Sequence, residues 1–131
     1  MISSKTHGVL DYIVGVFLMA SPWLLNFYQN GAETWIPFSL GGATLIYSLF
    51  TDYEAGLVKK MSMPWHLTLD LMSGITLGVS PWLFGFVDKV WLPHVIAGAL
   101  EVAVVAFTQP KERLKEPVRP SPGRNAQGLN V

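Results

Sequence analysis

His7 and Asp11 stand four residues apart, and so do His66 and Asp70. On a helix that spacing places each pair on one face, one turn apart. An imidazole beside a carboxylate can exchange a proton, hold a cation, or bind helix to helix through hydrogen bonds. Glu101 is the one acid inside the last apolar stretch, 90–108. No Lys or Arg lies within the apolar stretches, so these acids must be protonated, paired with His7 or His66, or hydrated.

The two pairs belong to a duplication. At an offset of 59, residues 7–27 match 66–86 at 10 of 21 positions without a gap. Ser21-Pro22-Trp23 returns as Ser80-Pro81-Trp82, Gly15 as Gly74, and Phe27 as Phe86. The following segments match at offset 56, Trp35 on Trp91, Pro37 on Pro93 and Gly42 on Gly98. A repeat of this kind fixes the architecture before any single residue does.

Charge places the repeats. Of 131 residues 50% are hydrophobic and 14% charged, well below the about 25% charged of a soluble domain. Residues 12–32, 34–51 and 71–87 contain no charged residue. A helix needs about 20 residues to cross the hydrocarbon layer, which predicts spans near 7–27, 35–51, 66–86 and 91–108. Trp23, Trp35, Trp82 and Trp91 are expected at one interface, Tyr53 and Trp65 at the other. Lys5, Lys59, Lys60, Lys111, Arg113, Lys115, Arg119 and Arg124 fall on one side and Lys89 on the other. The positive side stays inside, so both termini are expected in the cytoplasm. Lys5 and the apolar run to Ala20 imitate a signal peptide, but Leu18 is not a small residue and Asp11 interrupts the run. A formal net charge of zero argues against a nucleic-acid partner. The absence of cysteine excludes disulfides, thiol nucleophiles and thiolate metal sites.

The expected fold is all-α: a four-helix transmembrane bundle of two parallel-repeat helical hairpins, repeat 1 about 1–56 and repeat 2 about 64–110, related by an axis along the membrane normal. Residues 111–131 form a tail rich in Pro, Gly and charge, expected to be flexible unless bound. Proline lacks an N–H. Stopping at Ala20 leaves a first helix of about 21 Å, too short to span, so the helix is expected to continue past Pro22 with a kink. Ser21 is read as N-cap of the restarted turn and Trp23 as interfacial anchor. Ser80, Pro81 and Trp82 repeat that structural role.

For His7, Asp11, His66, Asp70 and Glu101 two readings remain open: polar glue between helices, or a proton-linked or cation-binding site. A haem held axially by His7 and His66, or a quinone site, is compatible with the residues without being demanded by them. His94 beside Pro93 reads as an interfacial histidine. No phosphate loop, nucleophile triad or metalloprotease motif occurs, so neither enzyme activity, cofactor nor bound metal is expected.

The duplicated tripeptide, with His-x3-Asp fourteen residues upstream of each Ser, resembles the SPW repeat family of small bacterial membrane proteins. Thr51-Asp52-Tyr53-Glu54, ahead of the second repeat, is similar to that family as well. The resemblance covers about 1–108. It implies a four-helix integral membrane protein and supplies no catalytic residues. The expectation is a non-catalytic accessory subunit of a larger complex in the bacterial inner membrane, its partners lipid and other membrane subunits or further copies of itself. The alternative is a proton-linked transporter or channel.

Overall fold

A computed structural model describes residues 1–109 and contains four helices: α1 (Ser4–Leu24), α2 (Ala32–Phe50), α3 (Met63–Leu83) and α4 (Leu92–Phe107). Among the described residues there is no strand, only two isolated bridges. The expected tail, with its five basic residues, lies outside the described residues. By length and composition α1 is long and apolar enough to cross a membrane, while α4 is apolar but short at 16 residues. α2 and α3, of 19 and 21 residues, have the length, but polar residues dilute their hydropathy. Those residues turn inward: Glu33, Thr34, Thr44 and Ser48 on α2, and His66, Asp70, Ser73 and Ser80 on α3.

α1 packs along α2, α3 along α4, and α2 against α3. Close approach in the first and second contacts depends on glycine. A Cβ on Gly41 would meet the Gly15 carbonyl at 2.5 Å, and one on Gly98 would run into the Gly74 carbonyl and the Gly78 backbone. Gly98 thus has Gly41 as its counterpart, not Gly42. The second halves of the repeats align at offset 57 through these glycines, because Pro93 opens α4 whereas Pro37 lies a turn inside α2.

Helix ends are closed across the repeats. The segment before α3 caps α2, with Met61 N–H donating to Phe50 O at 2.8 Å. The segment before α1 caps α4 in the same way, Ile2 N–H to Phe107 O at 2.8 Å. Four helix termini therefore meet at the end that carries Lys5, Lys59 and Lys60, and Lys89 lies at the opposite end.

The Ser-Pro-Trp motif has a direct physical account. In α1 the carbonyl of Leu18 should accept from residue 22, and proline has no N–H to give. Ser21 Oγ donates to that carbonyl instead, at 2.9 Å. Ser80 Oγ does the same for Leu77 O, the carbonyl orphaned by Pro81, at 2.7 Å. The helix consequently runs through the proline to Leu24 and Leu83, and the serine is not the N-cap of a new turn. Two residues beyond each tryptophan-leucine step, Asn26 and Gly85 take φ of 56° and 70° and end the helix. The returning chain then donates from Phe27 and Phe86 N–H to the carbonyls of Pro22 and Pro81, each at 2.9 Å. Trp23 and Trp82 are exposed.

Candidate functional site

Helical spacing carries His7 and Asp11 to the inner face of α1 and His66 and Asp70 to the inner face of α3. The two faces meet. All four residues are buried, at 1% (His7), 6% (Asp11), 0% (His66) and 6% (Asp70) exposure. His7 Nε2 lies 3.3 Å from its own helix's Asp11 Oδ1 and 2.9 Å from Asp70 Oδ2. His66 Nε2 lies 3.0 Å from Asp11 Oδ2 and 3.0 Å from Asp70 Oδ2. Each imidazole thus faces both carboxylates, and the two rings stand edge-on with centroids 5.3 Å apart.

Threonines at the helix ends orient the rings. His7 Nδ1 is 2.8 Å from Thr108 Oγ1, and His66 Nδ1 is 2.8 Å from Thr51 Oγ1. A hydroxyl has one proton to donate. Thr108 donates it to Val104 O at 2.6 Å and Thr51 to Tyr47 O at 2.7 Å. Both hydroxyl oxygens must therefore accept, and both Nδ1 atoms carry a proton. The network fixes the tautomer and turns both Nε2 atoms toward the carboxylates.

The acids have further partners. Tyr47 OH donates to Asp70 Oδ1. Tyr53 OH donates to Asp11 Oδ2 at 3.2 Å, and Ser48 Oγ lies 3.5 Å from the same oxygen. Tyr53 was expected at the interface; instead it folds inward and is buried, where its hydroxyl reaches the Asp11 carboxylate. Burial, with the Asp11 charge beside it, raises the Tyr53 hydroxyl well above the usual phenol range, so it remains a donor.

Glu101 stays outside this cluster. It lies on α4 beside Gly74, at the position that Thr44 occupies on α2 by the glycine register, and both its carboxylate oxygens are buried without a hydrogen-bond partner. His94 is likewise not interfacial. It is buried between Phe27 and Phe86, ring centroids 5.3 and 5.0 Å away, and its Nε2–H donates to Glu33 O at 2.9 Å. Ser21, Pro22, Ser80 and Pro81 lie toward that second end, where each serine hydroxyl is bonded to a carbonyl of its own helix.

α1 and α4 do not pack along their lengths. Between them runs an apolar cleft of about 410 Å³, with His7, Asp11, Asp70 and Glu101 toward one end and Phe27 and His94 toward the other. A haem between His7 and His66 finds no support, since the space a macrocycle would need between the rings holds the two carboxylates.

Sequence reasoning identified all four members of the cluster and missed Tyr47, Ser48, Thr51, Tyr53 and Thr108. Thr51 and Thr108 carried a readable signal: each closes a span at matching points of the two repeats, 57 residues apart.

Four helices with a buried His-x3-Asp pair and a proline-bridging serine in each half define a small, internally duplicated all-helical protein. The SPW repeat domain matches residues 5–108, and the chain belongs to that family, which is membrane-associated. No curated protein and no solved structure matches the chain.

Proposed function

We propose that this chain is a multi-pass protein of the bacterial cytoplasmic membrane, a bundle of two parallel-repeat hairpins with both termini on the cytoplasmic side. Its role is that of a non-catalytic accessory subunit in a larger membrane complex. One observation carries the membrane reading: the molecule is polar inside and apolar outside. Ile13, Ile46, Met72 and Leu100, one on each helix, are 60%, 60%, 61% and 61% exposed. Histidines, aspartates, serines and threonines make up much of the interior, beside Leu18, Phe27, Leu77 and Phe86. Water would not tolerate an apolar exterior on every helix, whereas lipid requires it. Lys5, Lys59 and Lys60 at the cluster end support a cytoplasmic assignment for that end.

The accessory reading rests on the use of the polar groups. Both histidines and both aspartates of the cluster are engaged with each other and with helix-end hydroxyls, in a closed arrangement that joins the two repeats. The partner is a membrane-spanning helix of another subunit, because α1–α4 is the helix seam left without packing. Extraction in a mild detergent followed by mass spectrometry tests this; co-purifying membrane subunits are expected. A monodisperse 14.5 kDa species with no companions refutes it.

A second reading, proton-linked transport, is favoured by the contact of the cleft with Asp11, Asp70 and Glu101. Flux in liposomes separates the two. Transport abolished by Asp11→Asn or Asp70→Asn supports transport, and absence of flux in the parent protein removes it.

A further inference from the structure

We propose that His7, Asp11, His66 and Asp70 form a closed site for one divalent transition-metal ion, zinc by its donor set, which ties the two repeats together. The inference stands on the cluster's own geometry and holds whether or not the chain is an accessory subunit.

Four observations converge. The first is placement: one atom from each of the four side chains lies within 4.8 Å of the others, and all four side chains are buried. The second is ring orientation. Thr51 and Thr108 hold both Nδ1 protons, so each ring turns Nε2, the atom a metal would take, into the cluster. Metal-binding histidines are held in this way, with the second ring nitrogen donating to a fixed acceptor. The carboxylates are also oriented from outside, Asp70 by Tyr47 and Asp11 by Tyr53 and Ser48.

The third observation is an orphan. His66 Nε2 is fully buried, lies 3.0 Å from one oxygen of each aspartate, and makes no hydrogen bond to either. A buried imidazole nitrogen set evenly between two carboxylate oxygens is placed as a metal-ligating nitrogen would be. The fourth is charge. Two buried carboxylates call for positive charge close by, and one divalent ion held by the two imidazoles would supply it.

Donor set and spacing select the metal class. Calcium and magnesium take oxygen ligands almost alone, whereas two imidazoles suit zinc and its first-row neighbours. With metal–ligand distances of about 2.0–2.1 Å, a zinc tetrahedron has edges of about 3.3 Å. The N···O separations run from 2.9 to 3.3 Å, with Asp11 facing His7 through Oδ1 and His66 through Oδ2, and one atom from each side chain lies within 4.8 Å of the others, so the side chains must draw together to close around an ion. Four protein ligands leave no open position, which marks a structural rather than a catalytic zinc.

The test uses the full chain in detergent. Metal content is measured by mass spectrometry after growth with zinc and passage over a weak chelator, and the zinc absorption edge is recorded. One zinc per chain is expected, with four nitrogen or oxygen ligands at about 2.0–2.1 Å and imidazole scattering. Thr108→Val leaves the ligands in place and is expected to weaken zinc binding by about 10- to 100-fold. His7→Ala with His66→Ala should abolish it. Folded parent protein that is metal-free and takes up no zinc from buffered micromolar ion overturns the proposal. Zinc retained equally by the double-histidine variant shows an adventitious ion only and also overturns it. The parent measurement decides the question even if a variant does not fold.

Discussion

The serine of the Ser-Pro-Trp motif is predicted to matter only because proline follows it. Ser80 Oγ donates to Leu77 O at 2.7 Å, and both residues are fully buried. Ser80→Ala removes the only donor aimed at a carbonyl that Pro81 has already deprived of its helical partner. An orphaned buried carbonyl costs about 1–3 kcal/mol. Pro81→Ala restores a backbone N–H at that position, so the carbonyl no longer depends on the serine. Ser80→Ala should then cost only a few tenths of a kcal/mol, the order of an ordinary small substitution. The double-mutant cycle is therefore expected to give a coupling of about 1–2 kcal/mol, and any cavity left by the lost proline ring cancels between its two arms. Stability is read in detergent, by thermal unfolding or by titration with a denaturing detergent. If Ser80→Ala costs the same with proline and with alanine at position 81, the bridging account is refuted.

Other expectations follow from the same contacts. Gly98→Ala should destabilise by about 1–3 kcal/mol through overpacking against the Gly74 carbonyl, whereas Gly78→Ala on the facing helix, where a new Cβ meets nothing nearer than 3.9 Å, should be close to neutral in the same unfolding assay. Thr51→Val deprives the buried His66 Nδ1–H of its acceptor and should cost about 1–3 kcal/mol; the nitrogen NMR signature of that ring should change with it. Asp70→Asn leaves the histidines with one buried carboxylate and should cost about 3–5 kcal/mol, more than Tyr47→Phe, which removes a single hydrogen bond worth about 1.5–3 kcal/mol. A fluorescent protein fused after residue 109 should fold and fluoresce in the cytoplasm, whereas a periplasmic reporter at the same point should stay inactive.

The repeat made much of this legible. Offset 59 alone pairs His7 with His66, Asp11 with Asp70 and Ser21 with Ser80, and the structure places the histidines and the serines in equivalent surroundings. What escaped was set by side-chain direction and local register. Tyr53 looked interfacial because tyrosine generally is; nothing in its neighbours revealed that the chain bends to bring its hydroxyl to Asp11. The serine in Ser-Pro-Trp reads as a cap by propensity, and its bond back to Leu18 appears only when the missing proline N–H is traced to one carbonyl. The one-residue change in offset between Pro37 and Gly41 is invisible in an alignment that can match Gly42 to Gly98 equally well. The meeting of the two His-x3-Asp faces required knowing that α1 and α3 turn the same side inward.

One consequence comes from the short connection between the halves, residues 51–62. A cluster assembled from two separate hairpins would form or fall apart with their abundance in the membrane. Joined in one chain, the halves meet at an effective concentration set by the connection, on the order of millimolar for short linkers, so closure becomes independent of how much protein the cell makes. The two copies also no longer need to be identical. By the glycine register Tyr47 and Ser48 on α2 correspond to Val104 and Val105 on α4, so one half supplies the hydroxyls that serve the carboxylates of both. Fusion has made the shared centre a property of neither hairpin alone.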